Sequence, residues 1–304
     1  MSGPRARSSP GQAPKILPIA PEQSLHAAAV ADGARGAYGI RIAGVADAEP
    51  MLVVAQPEWP GLRIVSELAD PPVTDEIVAE GHAVLRLKTG GRLTLDRERG
   101  VARYSIPRRL TADELVHPFL APAAAVVSHW AGRLSFHAGA FVSDGGVWAV
   151  VGDRAAGKSS TLAWLALAGH DVLADDVLVL DGTTAFAGPR AIDLREETAD
   201  RFAIGTALGV VGSRPRWRVT LPQLAARLPF RGWMFLAWSD RITVRRLGAA
   251  ECMRRLVENL TLRVSAANPE RLLELATLPA WELERPRDWD RLEEGAQSLL
   301  GLTR

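Results

Sequence analysis

Residues 150–176 read VVGDRAAGKSSTLAWLALAGHDVLADD. The stretch is apolar up to Val151, turns through a glycine-bearing loop, opens a helical pattern at Lys158, and ends on two adjacent aspartates. Gly152, Gly157, Lys158 and Ser159 match G-x-x-x-x-G-K-[ST], with an apolar strand before the loop and a helix after it, the context that gives the pattern meaning. Glycines let such a loop turn its N–H groups inward, so that they and the following helix N-terminus cradle phosphate oxygens. Gly152, Asp153, Arg154, Ala155, Ala156, Gly157, Lys158, Ser159 and Ser160 are therefore predicted to bind nucleotide. Lys158 would face the β- and γ-phosphates, and the Ser159 hydroxyl would ligand Mg²⁺. The competing reading is an ordinary glycine-rich turn at a helix start. The interior, Asp153-Arg154-Ala155-Ala156, is poor in glycine and leaves Arg154 within reach of a phosphate.

Asp175 and Asp176 lie between two apolar runs, DVLA and VLVL. Adjacent carboxylates at the end of a buried strand are costly unless a cation or hydrogen-bond donors compensate them. Mg²⁺ on a bound nucleotide would do so. Strand side chains alternate, so one carboxylate can face the metal and the other an incoming hydroxyl, unless a bend at the strand end blurs this. A solvated acidic turn is the alternative. His137 lies in LSFHAGAF, shortly before the loop; from its apolar surroundings alone, a satisfied structural histidine is the ordinary reading.

The formal net charge is +1, so no global field draws the chain to nucleic acid or to an anionic membrane. Cys252, the one cysteine, sits in an amphipathic run and reads as a small buried thiol. Basic residues are nearly all arginine; Lys15, Lys88 and Lys158 are the only lysines. That makes Lys158 more informative, because a compact ammonium and a planar guanidinium are not interchangeable at a phosphate. Residues 1–15 are rich in Pro, Ser, Gly and Arg and read as a disordered lead rather than a signal peptide. The longest apolar run, FLAPAAAVV, is too short to span a bilayer. The sequence therefore predicts a cytoplasmic protein with no nucleic-acid and no membrane partner.

Residues 16–110 form a β-rich N-terminal region of short strand-like pieces. KTGGRLTLDRERGVARYSI reads as consecutive hairpin strands turning at Gly90-Gly91 and near Gly100. A helix begins at Thr111, capped with Glu114 three residues on, and Pro118 and Pro122 must kink or split it. LSFHAGAFVS and VWAVVG form a hairpin turning at Gly145-Gly146 and feeding the loop. Further strands are expected at PRAIDL, RWRVTL, GWMFLAW and RITVRRL, with helices over 195–202, from Ala249 and from Asn268. The half from 111 to 304 is the predicted nucleotide-binding catalytic domain. The Trp-rich pieces EWPGL, SHWAGR and RGWMFLAW read as core rather than interface. Arg190, Arg195, Arg214, Arg216 and Arg218 are further cations that could meet a phosphate or an acidic peptide; a solvated edge is equally open.

LSFHAGAF, VWAVVGDRAAGKSSTLAWLALAGH and DVLADDVLVL together resemble the core of the HPr kinase/phosphorylase family. The resemblance covers about His137 to Leu180 and joins three motifs in order. It implies an α/β fold: a P-loop kinase core of the HPr kinase/phosphoenolpyruvate carboxykinase-like type, with a mixed sheet behind the β-rich N-terminal region. It also implies ATP and Mg²⁺ as cofactors and transfer of a phosphoryl group to a serine-type hydroxyl. On this pattern Lys158 and Ser159 hold triphosphate and metal, Asp175 is the general base, Asp176 the metal-side carboxylate, and His137 lies beside the transferred phosphate. The layout is similar to the shorter HPr-kinase-like proteins of bacterial biosynthetic clusters, which points to a peptide or protein acceptor such as a ribosomal peptide precursor. A small-molecule kinase and a non-catalytic nucleotide-binding switch stay open as alternatives. The parent family forms oligomers, which leaves a homo-oligomer open too.

Overall fold

A computed structural model describes residues 15–16, 33–72, 75–88, 90–262 and 269–303. The predicted lead therefore lies outside the described residues except at Lys15, as does Asn268. Among the described residues the architecture is mixed α/β: two nine-stranded sheets and a smaller three-stranded one.

The first sheet carries the N-terminal region. Its hairpin strands His82–Arg86, Arg92–Asp96 and Val101–Ile106 pair antiparallel in sequence order, with Gly90, Gly91 and Gly100 all at positive φ in the turns, as the sequence predicts. Val101–Ile106 then pairs in parallel with Gly61–Leu68. Alternating burial along His82–Arg86 and Arg92–Asp96 marks one face packed on the core and one facing solvent.

The second sheet holds the strands on either side of the loop. Gly146–Val151 pairs antiparallel with Ala138–Ser143 and parallel with Arg227–Trp238, which in turn pairs in parallel with Ala280–Arg285. All six residues of Gly146–Val151 are buried, which is why this strand reads as an unbroken apolar run. The three parallel strands point the same way, so Val151, Trp238 and Arg285 lie at one edge, where open α/β sheets receive ligands. The third sheet is Ala191–Leu194, Arg214–Thr220 and Thr206–Val211, all antiparallel.

Two local expectations are refined. The hairpin turns at Asp144-Gly145, both with positive φ (49° and 67°), a type I′ geometry suited to the right-handed strand twist; Gly146 is already the first strand residue. Of the two prolines, Pro118 separates helix Ala112–Val116 from helix Leu120–Trp130. Pro122 falls in the first turn of the second helix, where its missing N–H is no loss. The Thr111–Glu114 capping box is formed in both directions.

Elements the sequence did not announce include strands Thr184–Phe186, Thr206–Val211 and Ala280–Arg285 and helix Leu292–Gly301. Among the described residues no helix is long and apolar enough to cross a membrane. One buried apolar cluster includes Tyr38, Trp59 and Tyr104 together with Phe136, Val151, Phe186 and Trp233, so the first two sheets share a core. Trp59 meets Phe186 edge to face at 5.6 Å. Polar ties cross the same seam: the Tyr38 amide donates to the Ala187 carbonyl, the Arg190 amide to the Met51 carbonyl, and the Tyr104 hydroxyl to the Phe119 carbonyl.

Candidate functional site

Residues 152–157 connect strand Gly146–Val151 to helix Lys158–Leu167. Gly157 caps the helix at φ +84°, and Ala155 is also left-handed, at φ +69°, a conformation that disfavours any residue with a Cβ. The surrounding contacts explain how a glycine-poor loop holds this shape. Lys158 Nζ donates to the Gly152 carbonyl at 2.7 Å and the Asp153 carbonyl at 3.2 Å. Trp238 Nε1 donates to the Ala155 carbonyl at 3.2 Å. Arg285 Nη2 donates to the Ala156 carbonyl at 3.2 Å and to Thr161 Oγ1 at 3.0 Å. Thr161 Oγ1 donates to the Gly157 carbonyl at 2.9 Å. The carbonyls are thus drawn toward protein, while the amides of Arg154, Ala155 and Gly157 donate to no described carbonyl.

Arg285 is 2% exposed and pairs with no carboxylate among the described residues; burial pushes its guanidinium down to about 10. Its charge lies over the Trp238 ring, 4.9 Å from the centroid, a partial compensation. Burial also lowers the Lys158 pKa, opposed by Asp176, Asp175 and Asp153. Two cations therefore sit under one short loop.

Asp175 follows strand Val172–Ala174 and is 4% exposed. Its Oδ1 accepts the Ser159 hydroxyl at 2.9 Å and its Oδ2 the Asp193 amide at 3.4 Å. Burial, and then the neighbouring Asp176 charge, push its carboxyl up to about 7. Asp176 takes φ +71°, the bend that overrides strand alternation and turns both carboxylates into one cavity. Asp176 Oδ1 lies 3.3 Å from His137 Nδ1, with both side chains roughly two-fifths exposed (43% and 44%). Burial lowers the His137 pKa and Asp176 opposes that shift.

The resemblance implies Asp176 on the metal side with Ser159 and Asp175 as the base. In the structure the Ser159 hydroxyl donates to Asp175, whose two oxygens are both engaged, and Asp176 is the more open carboxylate. The reason is the left-handed Asp176 backbone, which no pattern of residue types announces.

Behind Asp175 lies a buried layer the sequence did not reveal. Asp193 accepts from Arg218 Nε at 2.8 Å and Nη2 at 3.0 Å, and from Arg216 Nη1 at 3.3 Å, and His117 Nε2 lies 3.6 Å away. Burial raises the Asp193 carboxyl, but His117, Arg218 and Arg216 outweigh it and hold the group below the usual range. Arg218 also donates to the His117 and Asp113 carbonyls. It is a buried structural cation, and so is Arg190, which is fully buried on the Pro222 and Leu173 carbonyls.

These groups open onto a cavity of about 690 Å³ lined by His137, Arg154, Lys158, Ser159, Asp175 and Asp176. Arg195, Arg214 and Arg216 also line it, as do Lys88 from the N-terminal sheet and Trp238, Arg285 and Trp289. Cys252 is buried and unpaired, as its amphipathic run suggests.

No protein-family model matches the chain, and no curated protein matches it. Among solved structures it is similar to the Hpr(Ser) kinase/phosphatase from Coxiella burnetii, at 10% identity and a TM-score of 0.28, over 55% of this chain and 94% of that chain. At that score the likeness assigns no role to any residue.

Proposed function

We propose that this chain is a Mg-ATP-dependent kinase, built on a P-loop core of the HPr kinase-like type, that transfers the γ-phosphoryl group to a serine-type hydroxyl of a peptide or protein. The supporting observation is the convergence of Lys158, the Ser159–Asp175 pair and the His137–Asp176 pair on one cavity at the carboxyl end of strand Gly146–Val151.

The loop amides and Lys158 neutralise the triphosphate. Ser159 and Asp175 would hold Mg²⁺. The donor set fits that ion, because a carboxyl only 4% exposed and pushed up to about 7 gains from a cation. No group of three or more His, Cys, Asp or Glu among the described residues forms a metal cage, as suits an ion held mainly through phosphate and water oxygens. Bound there, Mg²⁺ would supply positive charge that offsets the phosphate oxygens. Asp176, oriented by His137, accepts the acceptor's hydroxyl proton. The bond from the γ-phosphorus to its bridging oxygen breaks, the bond to the acceptor oxygen forms, and ADP leaves. Here Asp175 stands on the metal side and Asp176 on the acceptor side.

Intact-mass analysis of serine peptides incubated with the protein, ATP and Mg²⁺ tests the reading. The expected result is a mass gain of one phosphoryl group, lost in Asp176→Asn. Nucleotide binding without acceptor-dependent ADP release sinks it. The two aspartates separate cleanly: Asp175→Asn should weaken Mg-dependent nucleotide binding. Asp176→Asn should keep that binding and slow transfer by about 10²–10⁴-fold, the usual range for a lost general base.

A further inference from the structure

Three arginines on the cavity wall have no visible occupation. Arg154 stands in the loop, Arg195 at the start of helix Glu196–Phe202, and Arg214 at the start of strand Arg214–Thr220. Arg216 and Arg218 are spent on Asp193, but the side chains of these three make no hydrogen bond or ion pair among the described residues. They also crowd one another. Burial disfavours the Arg214 charge, and Arg216, Arg195 and Arg154 each add to the penalty, while Asp176 relieves it. Arg214 therefore lies within electrostatic range of both the other arginines and the open carboxylate. Unpaired like charges around a partly closed cavity are a standing cost that an anion removes.

The triphosphate does not need them all. Lys158, the loop amides and the cation at Ser159 and Asp175 already face it. Arg195 and Arg214 come from the third sheet and the helix packed on it, not from the loop, and Asp176 is the carboxylate whose charge acts on Arg214. Cationic side chains outnumber carboxylates along the wall, so a surplus of positive charge is left after the nucleotide is served.

We propose that Arg154, Arg195 and Arg214 form a second anion subsite, which takes an anionic group, a carboxylate or a phosphate, carried by the acceptor next to its reacting hydroxyl. The inference rests on the kinase reading for the word acceptor, and on the arginines alone for the word anion. The same guanidinium chemistry would also suit the γ-phosphate of the nucleotide, and the two sources give different results.

The test uses the full chain, inorganic sulfate as the probe, and titration calorimetry with and without saturating Mg²⁺ and the non-hydrolysable ATP analogue AMP-PNP. Sulfate should bind while AMP-PNP is bound. Arg154→Ala, Arg195→Ala and Arg214→Ala should each weaken sulfate by on the order of tenfold, the effect of one lost charge-assisted hydrogen bond. AMP-PNP affinity should stay within about twofold in Arg195→Ala and Arg214→Ala, which lie outside the phosphate loop. Arg154 and Arg195 are exposed, so their removal leaves the fold intact, and Arg214→Lys guards against a packing defect at the half-buried site. Two results overturn the proposal. One is loss of AMP-PNP affinity in the variants with no sulfate site beside it, which gives the arginines to the nucleotide. The other is sulfate binding indifferent to all three. Failure of the wild type to bind Mg-AMP-PNP while sulfate binding still tracks the arginines would instead overturn the kinase reading and leave an anion site without an acceptor.

Discussion

Asp175 keeps its proton in a pH range where ordinary carboxyls have lost theirs, and the stability of the protein follows from that. Its folded pKa, raised to about 7, stands above the unfolded value near 4. The folded chain therefore binds the extra proton between those values, and stability falls as pH rises through that window. At pH 8 the ionised, buried group costs on the order of a few kcal/mol. Thermal melts of the ligand-free protein should thus show the Tm of Asp175→Asn gaining on that of the wild type as pH rises from about 4 to 8. The variant should be the more stable one at pH 8; equal slopes in both would refute the assignment. Arg218 is the opposite case. Asp193 is buried on it, and removing one partner of a buried pair leaves an uncompensated charge, so Arg218→Ala should lose about 3–5 kcal/mol in denaturant titration.

At the scale of elements, the loop is shaped from outside. Strands Arg227–Trp238 and Ala280–Arg285 end beside it and deliver Trp238 and Arg285 to its carbonyls. Arg285→Ala should raise the nucleotide dissociation constant by about tenfold, one charge-assisted hydrogen bond being worth roughly 1.5–3 kcal/mol before relaxation. The rate at saturating nucleotide should change far less, and Arg285→Lys should recover part of the loss, which a purely structural defect would not. This division also explains what was legible. Lys158, Ser159 and both aspartates could be read because their chemistry is local, a strand, a turn and a helix in one short window; His137 was singled out only by the family resemblance. Arg285, Trp238, Asp193 and Lys88 could not, because each reaches the site through pairing between distant segments. AWELER in particular alternates charge with bulk and carries no mark of its destination. Trp238, read as core, stands 40% exposed on the cavity wall.

For the whole molecule, the seam at residue 111 divides sheets but not the core. Trp59, Tyr38 and Tyr104 lie 2% exposed or less against residues of the second half. Fully burying one large apolar side chain contributes about 1.5–3 kcal/mol, so losing several of these exceeds the margin of an ordinary domain. A chain of residues 111–304 alone should therefore lack a cooperative thermal transition, whereas the full chain melts in one. Lys88 gives the N-terminal sheet a chemical stake as well, since it stands on the cavity wall. The β-rich character of the N-terminal half and its hairpins were readable from alternation and turn residues; the core the sheets share was not, because apolar positions say that they are buried and not against what. The left-handed Ala155 has a practical consequence here. Its carbonyl is gripped from 83 positions downstream and that of Ala156 from 129, so residues 150–160 transplanted into another strand and helix would carry the spelling of the loop without its curvature. Any graft, chimera or minimised version has to move the two distant strand ends together with it.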